Sequence, residues 1–251
     1  MPVCVILGAG PGLGTSCAAR FAQGGYTIVL MCRSEESCEG AKKACAEAGV
    51  THGWVKCDVT DPASVKEAFA TSKSTYGVCD VLIYNPGLKS PKVLNTDVMD
   101  VDLETFNATH ALFCTGALLC VQAVLPDMLA KEGVGEGPNV KKGTILFTGA
   151  TGAFRGGAKS LMYSQAEMGM RAVSQSVARG YAAKGIHTCF FRLDCVIDTP
   201  WVVKMMNDYF KAGKMASCKD IADTYYWVHT QPALGWTNEL DIRPCQENWS
   251  F

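Results

Sequence analysis

Val3 to Gly14, VCVILGAGPGLG, constrains this chain more than any other stretch. Its first five residues are an apolar, β-branched run of the length of a buried strand. Gly8, Gly10, Gly12 and Gly14 follow, and TSCAARFAQ then reads as a helix ending at Gly24-Gly25. Strand, glycine turn and helix form the first half of a βαβ nucleotide site. The glycines let the backbone pass close to a pyrophosphate, and the helix start offers free N–H groups and a positive dipole end. A tight βα turn with no ligand needs fewer glycines than this.

The rest of the chain repeats the alternation. Strands are expected at Tyr26–Met31, Gly53–Cys57, Cys79–Tyr84, Thr144–Thr148, Ile186–Leu193 and Glu239–Pro244. Helices are expected at Glu35–Ala48, from Pro62 with Asp61 as N-cap, at Leu103–Met128, over Leu161–Ala183, at Trp201–Ala212 and at Lys219–Thr230. Between them lie an irregular acidic stretch, Pro91–Asp102, and a glycine-rich, mobile connection after Lys131. The prediction is α/β: a single doubly wound, Rossmann-type domain over residues 1–251, with a parallel sheet of about seven strands.

A net charge of −1 gives no reason to expect a nucleic-acid or membrane partner. No 18-residue apolar span is expected, so neither is a membrane helix. A strand beginning at Val3 leaves no room for a signal peptide, and Asn248-Trp249-Ser250-Phe251 matches no lipidation or peroxisomal signal. The 13 cysteines are odd in number and irregularly spaced, without a C-x-x-C pair. They fit reduced thiols in the cytoplasm better than a disulfide framework or a zinc site. The four histidines are scattered, so no metal site is expected.

Gly8, Gly12 and Gly14 make G-x-x-x-G-x-G, and on this spacing the chain resembles the short-chain dehydrogenase/reductase (SDR) family. The resemblance runs to the C-terminus. It implies one Rossmann-type domain binding NAD or NADP, a small-molecule carbonyl or alcohol substrate, and a homodimer or homotetramer packed through the Leu103–Met128 and Leu161–Ala183 helices. It assigns Gly8, Gly10, Gly12, Leu13 and Gly14 to the cofactor's pyrophosphate end. Asp58-Val59 falls to the adenine, although Asp58 also reads as a turn-capping residue. Asn85 and Gly87 fall to the nicotinamide ribose, and Thr199 to the nicotinamide and pyrophosphate side. At the tip of the second strand no acid precedes Glu35, and Arg33 comes first. That order favours NADP(H), the guanidinium fork pairing the 2′-phosphate, with NAD(H) the second choice.

The resemblance breaks at the catalytic positions. Tyr163 holds the place of the family's proton-transferring tyrosine, but Glu167 stands where the family has lysine, Ala150 where it has serine, and Phe113 where an asparagine anchors a relay water. A carboxylate one helical turn from a phenol raises its pKa, where an ammonium would lower it. Tyr163 is therefore expected to donate a proton in carbonyl reduction and to be a poor base for alcohol oxidation. Thr148, Thr151 and Lys159 are the candidate substitutes for the missing groups. The same residues also suit a catalytically impaired protein that acts as a nucleotide-binding sensor or scaffold. Trp201, Met205, Met206, Tyr209 and Phe210 suggest an adaptable apolar flap over a substrate cleft, or an oligomer face.

Overall fold

The computed structural model describes residues 1–88 and 90–247. The Asn248–Phe251 tail lies outside the described residues. In chain order the elements begin β1 (Val3–Leu7), α1 (Leu13–Gln23), β2 (Thr27–Cys32), α2 (Glu39–Glu47), β3 (His52–Lys56), α3 (Pro62–Tyr76) and β4 (Cys79–Tyr84). They continue α4 (Leu103–His110), α5 (Gly116–Ala130), β5 (Gly143–Ala150), α6 (Leu161–Tyr181), β6 (Ile186–Leu193), β7 (Val196–Ile197), α7 (Pro200–Met205), α8 (Asn207–Lys211), β8 (Met215–Ala216), α9 (Cys218–Thr230) and β9 (Glu239–Ile242).

Seven strands form one sheet in the order β3-β2-β1-β4-β5-β6-β9, and every neighbouring pair is parallel. This is the doubly wound architecture expected from the sequence. Its period-two logic is plain in β1. Val3, Val5 and Leu7 enter one core with residues of α3, α5 and α6, while Cys4 and Ile6 enter the other with α1 and α9. A strand covered on both faces must be apolar at every position, as VCVIL is. The chain turns from one half of the sheet to the other between β1 and β4. Ligands in such sheets bind at that switch point, beyond the C-terminal strand ends.

Several elements differ from expectation. The second helix opens with a 3-10 turn at Glu35–Cys38 before α2. The acidic stretch carries two short 3-10 turns, Pro91–Leu94 and Val98–Asp100, and the glycine-rich connection is pinned by a Val134–Lys141 bridge. The flap is two short helices, α7 and α8, because the chain leaves helical geometry at Met206. The long helix is interrupted by a π turn at Ala111–Thr115. The Tyr84 hydroxyl donates to the Leu112 carbonyl inside that turn, satisfying an acceptor in a widened helix.

The expectation about apolar spans is corrected here. Leu103–Ala130 contains an 18-residue window of mean hydropathy 1.7, long and apolar enough by length and composition to cross a membrane. Its composition follows from its place in the fold, since Ala117, Cys120, Val121, Val124 and Met128 are buried against the sheet.

Candidate active site

At the switch point the glycine loop and the end of β4 are locked together. Gly8 adopts φ 77°, and a Cβ there would sit 1.9 Å from the Asn85 carbonyl oxygen. The Asn85 side-chain amide donates to the Gly8 carbonyl at 3.0 Å. Gly12, with φ 114°, faces Thr199, whose Cγ2 would lie 2.6 Å from an added Cβ. Gly14 packs the start of α1 onto the loop, its missing side chain leaving room for the Gly8 carbonyl. The Leu13 side chain is buried in the core beneath α1. Gly10 and Gly87 differ from these three, for an added Cβ meets no atom within 4 Å at either. Two glycines that border open space and three that permit close packing thus meet at the start of α1, the positive end of a helix.

Around the glycine loop, Arg33 is exposed just past the end of β2. The Asp58 carboxylate accepts from the main chain and hydroxyl of Thr60, and the Asp58 N–H donates to Ser64 Oγ. The side chain thus holds the turn after β3, and Val59 is buried against the start of α5.

Tyr163 and Glu167 lie one turn apart on α6. The Glu167 carboxylate accepts from the Ala150 N–H at 3.0 Å, with the Tyr163 phenol as its neighbour one turn away. Glu167 is 1% exposed. Burial pushes its carboxyl up to about 7, against the opposing pull of the Ala150 N–H and the neighbouring phenol. The Tyr163 phenol is held well above its ordinary range, by burial first and by the Glu167 charge second. Phe113 stands edge-on to the Tyr163 ring, centroids 5.4 Å apart and planes at 83°. An apolar ring therefore occupies the side of the phenol where the family resemblance places a relay asparagine.

The candidate substitutes have other partners. Thr148 Oγ1 accepts from the Tyr225 hydroxyl at 2.9 Å. Thr151 donates to Asp194, which also pairs with Arg243. Lys159 is exposed, and its carbonyl accepts from the Thr96 N–H. The Thr151–Asp194–Arg243 chain fixes the loop after β5 to the loop after β6. It has no signature in the sequence, because Arg243 arrives from 49 residues away.

The short chain dehydrogenase family profile matches residues 2–207, and the chain belongs to that family. Among its relatives is the cis-4-hydroxycyclohexanecarboxylate dehydrogenase of Sinomonas cyclohexanicum, 31% identical over 242 residues, which are 92% of this chain and 90% of that one. A putative short-chain dehydrogenase/reductase from Burkholderia xenovorans superposes with a TM-score of 0.82 at 26% identity, covering 96% of this chain and 94% of the other. The L-sorbose reductase of Gluconobacter frateurii, solved with NADPH and L-sorbose, has the same fold. Its TM-score is 0.83 at 20% identity, covering 98% and 96% of the two chains.

Proposed function

We propose that the chain is an NADP(H)-dependent oxidoreductase interconverting a small carbonyl compound and its alcohol, with Tyr163 and Glu167 acting as a proton-transfer pair. The observation that carries this reading is the placement of Glu167, 1% exposed, one helical turn from Tyr163, where burial pushes its carboxyl up to about 7. The glycine loop fits a dinucleotide: Gly10 and Gly87 leave the space, Asn85 and Thr199 border it, and Arg33 is the cation for a 2′-phosphate. NADP(H), when bound, supplies or accepts the hydride. The neighbour solved with NADPH supports this choice of cofactor, and a relative named for a hydroxycyclohexane substrate suits the apolar residues of α7 and α8.

The proton route follows from that adjacency. In reduction the substrate oxygen takes the Tyr163 proton, and a protonated Glu167 restores it to the phenol oxygen. In oxidation the proton moves the other way, ending on the Glu167 carboxylate. Glu167 thereby does by proton exchange what a lysine does by charge. A second reading, a nucleotide sensor without turnover, is favoured by Ala150 and Phe113, which leave the substrate oxygen without a polarising hydroxyl or a relay amide. Calorimetric titration with NADPH and NADH, followed by a carbonyl panel read through nicotinamide absorbance, separates the two. Binding with slow turnover of activated carbonyls is expected. Binding without turnover selects the sensor, and absence of binding defeats both.

A further inference from the structure

Cys32 closes β2 beside Arg33, and Cys38 ends the 3-10 turn that follows. Their sulfurs are 2.7 Å apart, about 0.7 Å beyond a bonded pair. Among the described residues these are the only two sulfurs in such contact. Their exposures differ in a useful way. Cys32 is partly exposed, whereas Cys38 is fully buried behind it. Ser37 Oγ lies 3.4 Å from the Cys32 sulfur.

We propose that Cys32 and Cys38 are a redox-active dithiol that closes to a disulfide on reaction with a low-molecular-weight disulfide. The Cys32 thiolate attacks one sulfur of the oxidant, forming a mixed disulfide and releasing one thiol. The Cys38 sulfur then attacks Cys32, its proton leaving with the second thiol. Two protein thiols lose two electrons in all, and one small disulfide becomes two thiols. The hydrogen bond from Cys38, with help from Ser37, holds the Cys32 thiol below its ordinary range, which suits it to be the attacking group. Most of the other cysteines are buried thiols pushed the opposite way.

The consequence for the cofactor rests on the NADP(H) reading. A thiolate one residue from Arg33 opposes a 2′-phosphate, whereas a neutral disulfide does not, and the cross-link also narrows the freedom of residues 33–37. Oxidation is expected to tighten NADPH about threefold and to leave NADH unchanged.

The test uses the full chain carrying C245S, which removes an exposed thiol outside the site. Oxidised glutathione is added in graded redox buffers, followed by alkylation and non-reducing peptide mapping. The Cys32–Cys38 cross-link should form before any other. C38S should strand glutathione on Cys32, and C32S should leave Cys38 unmodified. Glutathione on other cysteines with no Cys32–Cys38 cross-link would overturn the proposal, and so would a C38S chain with Cys32 unreacted. Titration of both redox forms then separates the two readings. Equal NADPH affinities would remove the link to the cofactor. Absence of NADPH binding to either form would defeat the cofactor reading and leave the mapped dithiol standing.

Discussion

Glu167 and Tyr163 make the sharpest prediction at the scale of single residues. In the proposed relay, reduction uses the protonated carboxyl and oxidation the carboxylate. With a raised value of about 7, reduction should fall as pH rises through neutrality and oxidation should rise. E167Q keeps one acceptor oxygen, enough for the Ala150 N–H, but carries no group that gains or loses a proton near neutrality. It should lose about 10²-fold in turnover and flatten both profiles, and Y163F should abolish both directions. A profile centred elsewhere and unmoved by E167Q would end the relay idea. Arg33 supports a second prediction: R33A should cost NADPH about 1.5–3 kcal/mol of affinity relative to NADH, read by titration of both nucleotides. The glycine turn and the one-turn spacing of Tyr163 and Glu167 were legible in the sequence because they answer local demands of backbone space and helical period. Their partners were less so. Spacing put Glu167 within reach of Tyr163, but it did not reveal the Ala150 N–H, nor a burial large enough to outweigh the carboxylate's own charge. Asp194 meets Arg243 only because β6 and β9 are neighbours in the sheet.

Elements were legible where periodicity changes and illegible where it does not. The β1–α1 boundary is marked by glycines. The π turn at Ala111–Thr115 is unmarked, since apolar residues run through it without a break. That turn carries Phe113, which is 2% exposed and bridges the helix to the Tyr163 ring. F113A should therefore destabilise the protein by about 3–5 kcal/mol, seen as a lower denaturant midpoint with an unchanged slope. An effect below about 1 kcal/mol would show that the turn collapses into the vacated space. The helix expected over Trp201–Ala212 divides at Met206 for a reason equally invisible in composition, a backbone departure between two short helices.

Across the whole molecule, the two ends of the sheet have opposite characters. Near the N-terminal strand ends, His229 shares hydrogen bonds with Thr144 and Tyr26, and His187 stacks on Trp236 at 4.8 Å. Burial, the larger cause for both, lowers them to about 3 and about 4. The unfolded chain takes up these protons near pH 6.5, before the folded chain does. The histidines' contribution should therefore be full above about pH 6.5 and fall on acidification, by about 1.4 kcal/mol per pH unit for each. It is opposed between about pH 7 and 4.5 by Glu167, whose raised carboxyl takes up its proton first in the folded chain. H229N should flatten that slope in urea melts taken across the range, and an unchanged slope would assign acid lability to other groups. Leu118 and Met168 are both exposed on α5 and α6, the helices through which we propose a homodimer or homotetramer. Light scattering at micromolar concentration is expected to exceed the monomer mass, and a monomer would refute that assembly. One contact described above also bears on the sequence of events in turnover. Because Gly12 abuts Thr199, the glycine loop proposed to hold the nucleotide phosphates and the start of α7 share a wall. Nucleotide should then enter first and leave last, with product inhibition competitive only between the two nucleotide forms. G12A, which wedges that wall, should turn an ordered reaction into a random one.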